Sequence, residues 1–260
     1  MVSISALLLA IGMAVAAGLV GSIAVMRRMA LASDALSHVA LPGITLALLL
    51  HVNPLLGGLV ALVAGTLLVW ALEYRTRIPT EAVIGVLFSA ALAIGSLMAS
   101  GEDLIDALLG APGAASVVET LLGLGATALI IAFMIRARSR MVIRLVSPDL
   151  VQTLGVNVAR LDLLFLLAFA LTVALGLRYL GVLLMGSLII IPATTAMYLG
   201  RSLRAMQLIA ISSAVGSTVV GSLVAPRFGI ATGPAIIVVA AVVFVLGLLS
   251  KRRFAGARDA

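Results

Sequence analysis

No cysteine occurs in this 260-residue chain, so disulfides and thiolate metal sites are both excluded. A bound metal would have to use histidine, carboxylate, thioether or backbone oxygen, and the only histidines are His38 and His51. Lysine occurs once, at Lys251, and the phosphate-binding sequence G-x-x-x-x-G-K-[ST] is missing. If ATP powers this protein, another polypeptide must hydrolyse it.

Catalytic motifs and nucleic-acid-binding patterns are missing as well. The chain has no G-x-S-x-G and no H-E-x-x-H, which argues against a serine hydrolase and an intramembrane metalloprotease. Charged residues make up only 10% of the chain, and the net charge of +7 comes from short segments between apolar runs. Because the basic residues lie in short segments between apolar runs, we expect no nucleic-acid partner.

Long apolar runs are abundant instead. Hydrophobic residues make up 63% of the chain, and mean hydropathy is +1.30. A run of about 20 apolar residues spans the hydrocarbon core of a bilayer as a helix that closes its own backbone hydrogen bonds. The runs therefore predict an all-α, polytopic transmembrane bundle of eight or nine spans, in a single domain over 1–260. They cover residues 3–26, 31–50, 54–72, 80–99, 116–135, 161–177, 179–199, 205–225 and 233–250.

Two features of these runs bear on topology. No basic residue precedes the first run, so we expect a retained span and not a cleaved signal peptide. With the N-terminus outside and the C-terminus inside, fifteen of the seventeen basic residues lie on the inside, and only Arg178 and Arg227 lie outside. Cytoplasmic segments are enriched in Lys and Arg, so this orientation is the expected one. The tight join at Arg178-Tyr179 also permits a kinked or re-entrant pair in place of two full spans.

Asp34 and His38 are charged or ionisable residues inside the second apolar run, S-D-A-L-S-H-V-A-L-P-G. Such residues cost roughly 2.5–3.5 kcal/mol each on insertion scales and need an explanation. Residues four apart lie on one helix face, about 6 Å from each other. A carboxylate and a neutral imidazole there can ligate a divalent metal, and Pro42 weakens the helix next to His38.

Two interpretations of this pair stay open on spacing alone. Asp34 and His38 either form a structural hydrogen bond or supply two ligands of a metal site. Two ligands are too few for a closed tetrahedral site, so a metal site requires a second copy of the chain across a two-fold axis. Ligands of nitrogen and oxygen without thiolate suit zinc, manganese or iron.

The segment S-P-D-L-V-Q-T-L-G, in the predicted inside loop 136–160, has the pattern of a complete short helix. Ser147 is the expected N-cap, Pro148 the first residue, Asp149 lies at the positive dipole end, and Gly155 is the stop. An apolar face formed by Leu150, Val151 and Leu154 permits two interpretations. The helix either lies flat on the membrane or docks into a groove of a cytoplasmic partner.

An acidic segment over 100–113 lies outside on this topology and carries Glu102, Asp103 and Asp106. It is either a solvated cap over the bundle or a surface that attracts cations or binds an extracytoplasmic partner.

Several strings along the chain resemble one family, the permease subunits of ABC-type manganese, iron and zinc importers. They are R-R-M-A-L-A-S-D-A-L-S-H-V-A-L-P-G at 27–43, T-E-A-V-I-G-V-L-F-S-A-A-L-A-I-G at 80–95, S-P-D-L-V-Q-T-L-G-V at 147–156, G-V-L-L-M-G-S-L-I-I-I-P-A-T-T-A at 181–196 and G-P-A-I-I-V-V-A at 233–240. The L-P-G after His38 is more similar to the manganese and iron branch than to the zinc branch.

This resemblance implies a multi-pass protein of the cell membrane with a type II ABC importer-like fold. The implied partners are a second permease chain, cytoplasmic ABC ATPase subunits and an extracytoplasmic metal-binding protein. The implied cargo is a divalent metal, with no permanently bound cofactor. In this family, residues matching Asp34 and His38 lie on the metal pathway, and the segment matching 147–155 docks the ATPase.

Two rival functions stay open at this point. A permease for a metal chelate or cobalamin would need a roomier pathway without converging ligands, which Asp34 and His38 oppose. An ion-gradient-driven carrier or channel would work without any ATPase.

Overall fold

The chain folds into a bundle of α-helices, and a computed structural model describes residues 4–30, 32–76, 78–98, 117–147, 155–180 and 182–256. No strand occurs among these residues, so the all-α prediction is confirmed. The helices are α1 (Ile4–Met26), α2 (Ala32–Val39), α3 (Leu41–Leu49), α4 (Pro54–Thr76), α5 (Thr80–Met98), α6 (Val117–Val146), α7 (Val158–Leu180), α8 (Val182–Leu199), α9 (Leu203–Phe228) and α10 (Thr232–Gly256).

The helices account for all nine predicted apolar runs. Among the described residues, eight stretches are long and apolar enough to cross a membrane, with α2 and α3 together forming one of them. The ninth run gives α8, whose described apolar part, Met185–Leu199, is shorter than the others. The prediction of eight or nine spans is therefore confirmed.

The second run is broken as its proline predicts. Pro42 lies in the first turn of α3 and has no N–H to donate to the carbonyl of His38, so α2 ends at Val39 and α3 begins at Leu41. Ala40 between them keeps right-handed helical angles, and Ile44 N–H donates to its carbonyl at 2.9 Å. The chain therefore continues in nearly the same direction, with the interruption directly after His38.

The helix α6 is longer than the sequence predicted. The run was expected to end near residue 135 and be followed by a loop over 136–160, but α6 continues to Val146. This continuation contains no glycine or proline, and its arginines, methionine and leucine are good helix formers. Met134, Ala137 and Met141 form a buried stripe that holds the extension against the bundle.

The helix α1 lies at the centre of the bundle. It packs against α6, α7, α8 and α9, and its residues from Met13 to Ala24 are almost all buried. A helix that is apolar on every side requires such a position. The outer helices α4, α5, α6 and α10 instead expose large apolar side chains such as Leu56, Val86, Leu121 and Leu246. Lipid tails solvate such surfaces, so the exposure fits a bilayer.

A buried ionic cluster joins four helices at one end of this bundle. The carboxylate of Asp162, in the second turn of α7, contacts Arg27 after α1, Arg144 in the last turn of α6 and Tyr74 near the end of α4. The Asp162 side chain is only 3% exposed. The cluster brings together helix ends that the distribution of basic residues had assigned to one side of the membrane.

Candidate metal site

The helix α2 positions both candidate ligands, Asp34 and His38, one turn apart. It is held between α5 and α8. Ser33 and Ser37 point into the bundle and are fully buried. Their hydroxyls donate to the carbonyls of Ala30, at 3.0 Å, and Ser33, at 2.8 Å. The hydroxyls on the buried face thus have local partners, and Asp34 and His38 lie on the adjacent, less buried face.

Asp34 has an exposed side chain that makes no hydrogen bond or ion pair with any described residue. An ionised carboxylate on an apolar span is unfavourable without a partner or water. A structural hydrogen bond between Asp34 and His38 is also absent from the described contacts. The structural interpretation of the pair therefore has no support in a single chain.

His38 is partly buried against α5. Its ring meets Phe88 edge-on, with ring centroids 5.3 Å apart and an interplanar angle of 62°. Its Nδ1 atom is buried and has no hydrogen-bond partner among the described residues. A buried imidazole nitrogen normally has a partner, and metal-ligating histidines depend on such bonds for their orientation. The ring is therefore held by packing, with one nitrogen unsatisfied.

A close approach of α8 fixes the backbone at Asp34. Gly186 lies so near that a Cβ atom there would be 2.8 Å from Asp34 Cα and 2.9 Å from its nitrogen. The Ser33 hydroxyl also lies 3.3 Å from the Gly186 carbonyl oxygen. Glycine at 186 is what allows the two backbones to meet, because any side chain would separate them.

One chain supplies only part of a metal coordination shell. Among the described residues, no group of three or more histidine, cysteine, aspartate or glutamate side chains converges. Asp34 and His38 together offer one oxygen and one nitrogen ligand, a combination that suits zinc, manganese or iron. Further ligands must come from another chain, from water or from residues outside the described ranges.

The predicted docking helix is described only at its two ends. Ser147 follows α6, and its N–H donates to the Ile143 carbonyl at 2.8 Å. Gly155 has a φ of 71°, the left-handed conformation that a helix-ending glycine adopts. The remaining predicted docking residues, Pro148, Asp149, Leu150, Val151 and Leu154, lie outside the described residues, as does the acidic segment with Glu102, Asp103 and Asp106.

Asp162 was not singled out from the sequence. It lies at the start of the predicted run 161–177, two residues after Arg160. An acid at this position looks like an ordinary charged residue at the membrane interface. Its one distinguishing signal is that it is an acid at an end of the bundle where arginine dominates.

Comparison with known proteins decides the family. The family model described as the ABC 3 transport family matches residues 2–251. The chain belongs to the ABC 3 transport family. It is a multi-pass protein of the cell membrane, and the resemblance read from the sequence is confirmed.

Two relatives of this ABC 3 chain are named for different metals. It is 30% identical over 240 residues to the high-affinity zinc uptake system membrane protein ZnuB of Haemophilus influenzae, covering 90% of this chain and 91% of that one. It is 27% identical over 256 residues to the manganese import system permease protein ScaB of Streptococcus gordonii, covering 96% and 92%. These two relatives therefore do not decide whether the L-P-G after His38 marks the manganese and iron branch.

A solved structure shares the fold. PsaBC from Streptococcus pneumoniae, in complex with Fab, matches with a TM-score of 0.79 and 25% identity, covering 93% of this chain and 88% of that one. The helical bundle expected from the sequence thus has the fold of a chain in this solved structure.

Gly186→Ala should destabilise the permease, because its methyl group would have to push α2 away from α8 at Asp34. Overpacking of this kind costs about 1–3 kcal/mol. We expect a lower midpoint for heat-induced loss of the monodisperse size-exclusion peak in detergent.

Gly216→Ala is the matched control, because no atom lies within 4 Å of a Cβ built there. Alanine is favoured over glycine in a helix by up to about 1 kcal/mol, so its midpoint should be unchanged or higher. Equal midpoints for the two variants would contradict the close approach at Asp34.

Proposed function

We propose that this chain is the membrane-spanning subunit of an ATP-driven importer of a divalent transition metal, with Asp34 and His38 as transient ligands. The observation that carries the proposal is an unpaired carboxylate one turn from an unsatisfied imidazole, on a broken helix of an ABC 3 chain. Relatives named for zinc uptake and manganese import support the substrate class. Manganese, zinc and iron all fit this ligand pair.

Weak binding is part of this function. A transported ion must leave its ligands, and a site made of two residues per chain holds it less firmly than a closed four-ligand site. The break after Val39 places His38 at the end of its helix, where a small change in backbone direction moves the ring. Sites at broken helices are typical of transporters.

Asp34→Asn and His38→Gln should each lower metal uptake by at least about tenfold, since losing even an outer-shell partner of a metal ligand typically reduces affinity 10–100-fold. The measurement is uptake of manganese, zinc and iron into proteoliposomes that hold the assembled complex.

Two control variants separate ligand loss from loss of an acid or a histidine in general. Glu81→Gln removes an exposed acid at the start of α5, and His51→Asn removes an exposed histidine whose φ of 54° suits asparagine. Both should transport normally. Undiminished uptake by Asp34→Asn and His38→Gln would remove the ligand assignment.

A second copy of the chain is the proposed source of the missing ligands. The helix α5 lies beside α2, and exposes Gly85, Ser89 and Ala93 in a row at four-residue spacing. Small residues at this spacing allow membrane helices to approach closely. A two-fold interface along this face would cover the exposed Asp34 and place two ligand pairs opposite each other.

Ser89→Cys tests this interface, because the native chain contains no cysteine. We expect a short thiol cross-linker to join two copies of the permease in membranes, giving a dimer band on a denaturing gel. Ser212→Cys, which replaces an exposed hydroxyl on α9, should stay monomeric under the same treatment. Equal cross-linking at both positions, or none at Ser89→Cys, would contradict the α5 interface.

The segment 147–155 is the proposed docking site for a cytoplasmic ABC ATPase. This assignment follows from the short helix pattern, its apolar face and the missing phosphate-binding sequence. It requires the end of the bundle with the Asp162 cluster to face the cytoplasm, in agreement with the arginine distribution. An extracytoplasmic metal-binding protein would then deliver the ion at the opposite end.

Leu150→Asp should reduce co-purification of the ATPase by at least about tenfold, because loss of an interface anchor typically costs about 2 kcal/mol or more. Ile78→Asp changes another exposed apolar residue assigned to the same side and should retain the ATPase. Persistent co-purification with Leu150→Asp would argue for a helix that lies on the membrane instead.

A further inference from the structure

An ion pair joins the helices that precede and follow the proposed docking segment. Arg144 lies in the last turn of α6, three residues before Ser147, and Asp162 lies seven residues after Gly155. Nη2 of Arg144 donates to Oδ2 of Asp162 at 3.0 Å, and Nε donates to the same oxygen at 3.3 Å. An ion pair therefore joins the end of α6 to the start of α7, the two helices between which the docking segment lies.

The other carboxylate oxygen of Asp162 holds the chain that leads to the metal-site helix. Nη2 of Arg27 donates to Oδ1 at 2.6 Å, and the Arg27 guanidinium carbon lies 4.5 Å above the centre of the Phe165 ring. Arg27 is the first residue after α1 and precedes Asp34 by seven residues. One carboxylate thus contacts an arginine three residues before the docking segment and an arginine seven residues before Asp34.

Backbone hydrogen bonds hold the described residues between Arg27 and α2. Backbone hydrogen bonds run from Arg27 to Ile23 at 2.9 Å, from Arg28 to Val25 at 3.0 Å and from Met29 to Ala24 at 2.9 Å. The amide of Ala32 then donates to the Met29 carbonyl at 3.1 Å, and Met29 is buried. These hydrogen bonds connect the end of α1, where Arg27 lies, with the start of α2.

The helix α4 holds the start of α7 from a third side. The Tyr74 hydroxyl donates to Oδ2 of Asp162 at 3.2 Å, and Nε1 of Trp70 donates to the Ala159 carbonyl at 3.0 Å. A cleft of about 740 Å³ lies beside this junction, lined by Tyr74, Arg144 and residues 155–159. The cluster is therefore buried at its centre, and the cleft beside it is lined in part by the residues that follow the docking segment.

The cluster contains more positive than negative charge, and this excess decides which of its side chains can be removed. Two guanidinium groups share one carboxylate, and the Arg27 side chain is 11% exposed whereas Arg144 is 28% exposed. Loss of Arg144 leaves a neutral Arg27–Asp162 pair, so no unpaired charge remains buried. Loss of Asp162 would instead leave two cations without an anion. Arg144 can thus be removed without the usual penalty of a broken buried pair.

We propose that Asp162 is a positioning residue that couples the docking segment to the Asp34–His38 helix, through Arg144 on one side and Arg27 on the other. This inference rests on the proposed function. When the ATPase moves the docking segment, Arg144 and Asp162 move together, and Arg27 carries the displacement to α2. Without the Arg144 contact, the ATPase still docks and hydrolyses ATP, but the metal ligands no longer follow.

Arg144→Gln tests the coupling in the assembled complex reconstituted into liposomes with its ATPase and binding protein. The readout is manganese transported per ATP hydrolysed. We expect this ratio to fall about tenfold, within the 5- to 150-fold range typical of coupling between sites. ATPase co-purification should be unchanged. Arg140→Gln, an exposed arginine one turn earlier on the same helix, should keep the wild-type ratio.

Each other outcome counts against the inference. A wild-type ratio for Arg144→Gln overturns it, and so does loss of ATPase binding, which would place Arg144 in the docking surface itself. If Arg144→Gln does not assemble, Arg27→Gln decides, since it removes the other proposed contact and leaves a neutral Arg144–Asp162 pair. That variant should lower the same ratio, and an unchanged ratio overturns the coupling role. A wild-type complex that transports no divalent metal overturns the proposed function, and this inference with it.

Discussion

An ionised carboxylate among apolar helices needs partners, because no bulk water is present to solvate it. Asp162 meets this requirement, and Asp34 does not meet it among the described residues. Asp162 receives two guanidinium groups and a phenol hydroxyl from three other helices. Asp34 receives nothing from the described part of its own chain. The first is therefore a fixed structural centre, and the second has no partner among the described residues, which is why we propose it as a metal ligand.

Helix packing explains how one fold holds both carboxylates in place. The central helix α1 is surrounded by other helices, and the cluster at its end fixes α4, α6 and α7 relative to it. The helix α2 starts from this fixed end and is held by a backbone contact with Gly186 and by the buried hydroxyls of Ser33 and Ser37. Asp34, in contrast, is exposed, and the His38 ring is held by Phe88 with its Nδ1 atom unsatisfied among the described residues.

Local chemistry made part of this predictable from the sequence. Apolar run length predicted the spans because a bilayer accepts only self-satisfied helices, and Pro42 predicted the break after His38 because it lacks an N–H. Helical spacing placed Asp34 and His38 together. In contrast, the contact between Arg27 and Asp162 joins residues 135 positions apart, and no local pattern encodes such a distance. The helical extension to Val146 differs from the expected loop because charged residues after an apolar run mark the end of a span, whereas arginine also favours helix.

The position of a bound ion decides whether Asp34 and His38 are metal ligands. The most direct measurement is anomalous diffraction, or a high-resolution map, from the assembled complex trapped with manganese. A single manganese peak on the two-fold axis, within coordination distance of Asp34 and His38 of both copies, is the predicted result. A manganese peak elsewhere along the pathway, with Asp34 and His38 bound to protein groups alone, would contradict it.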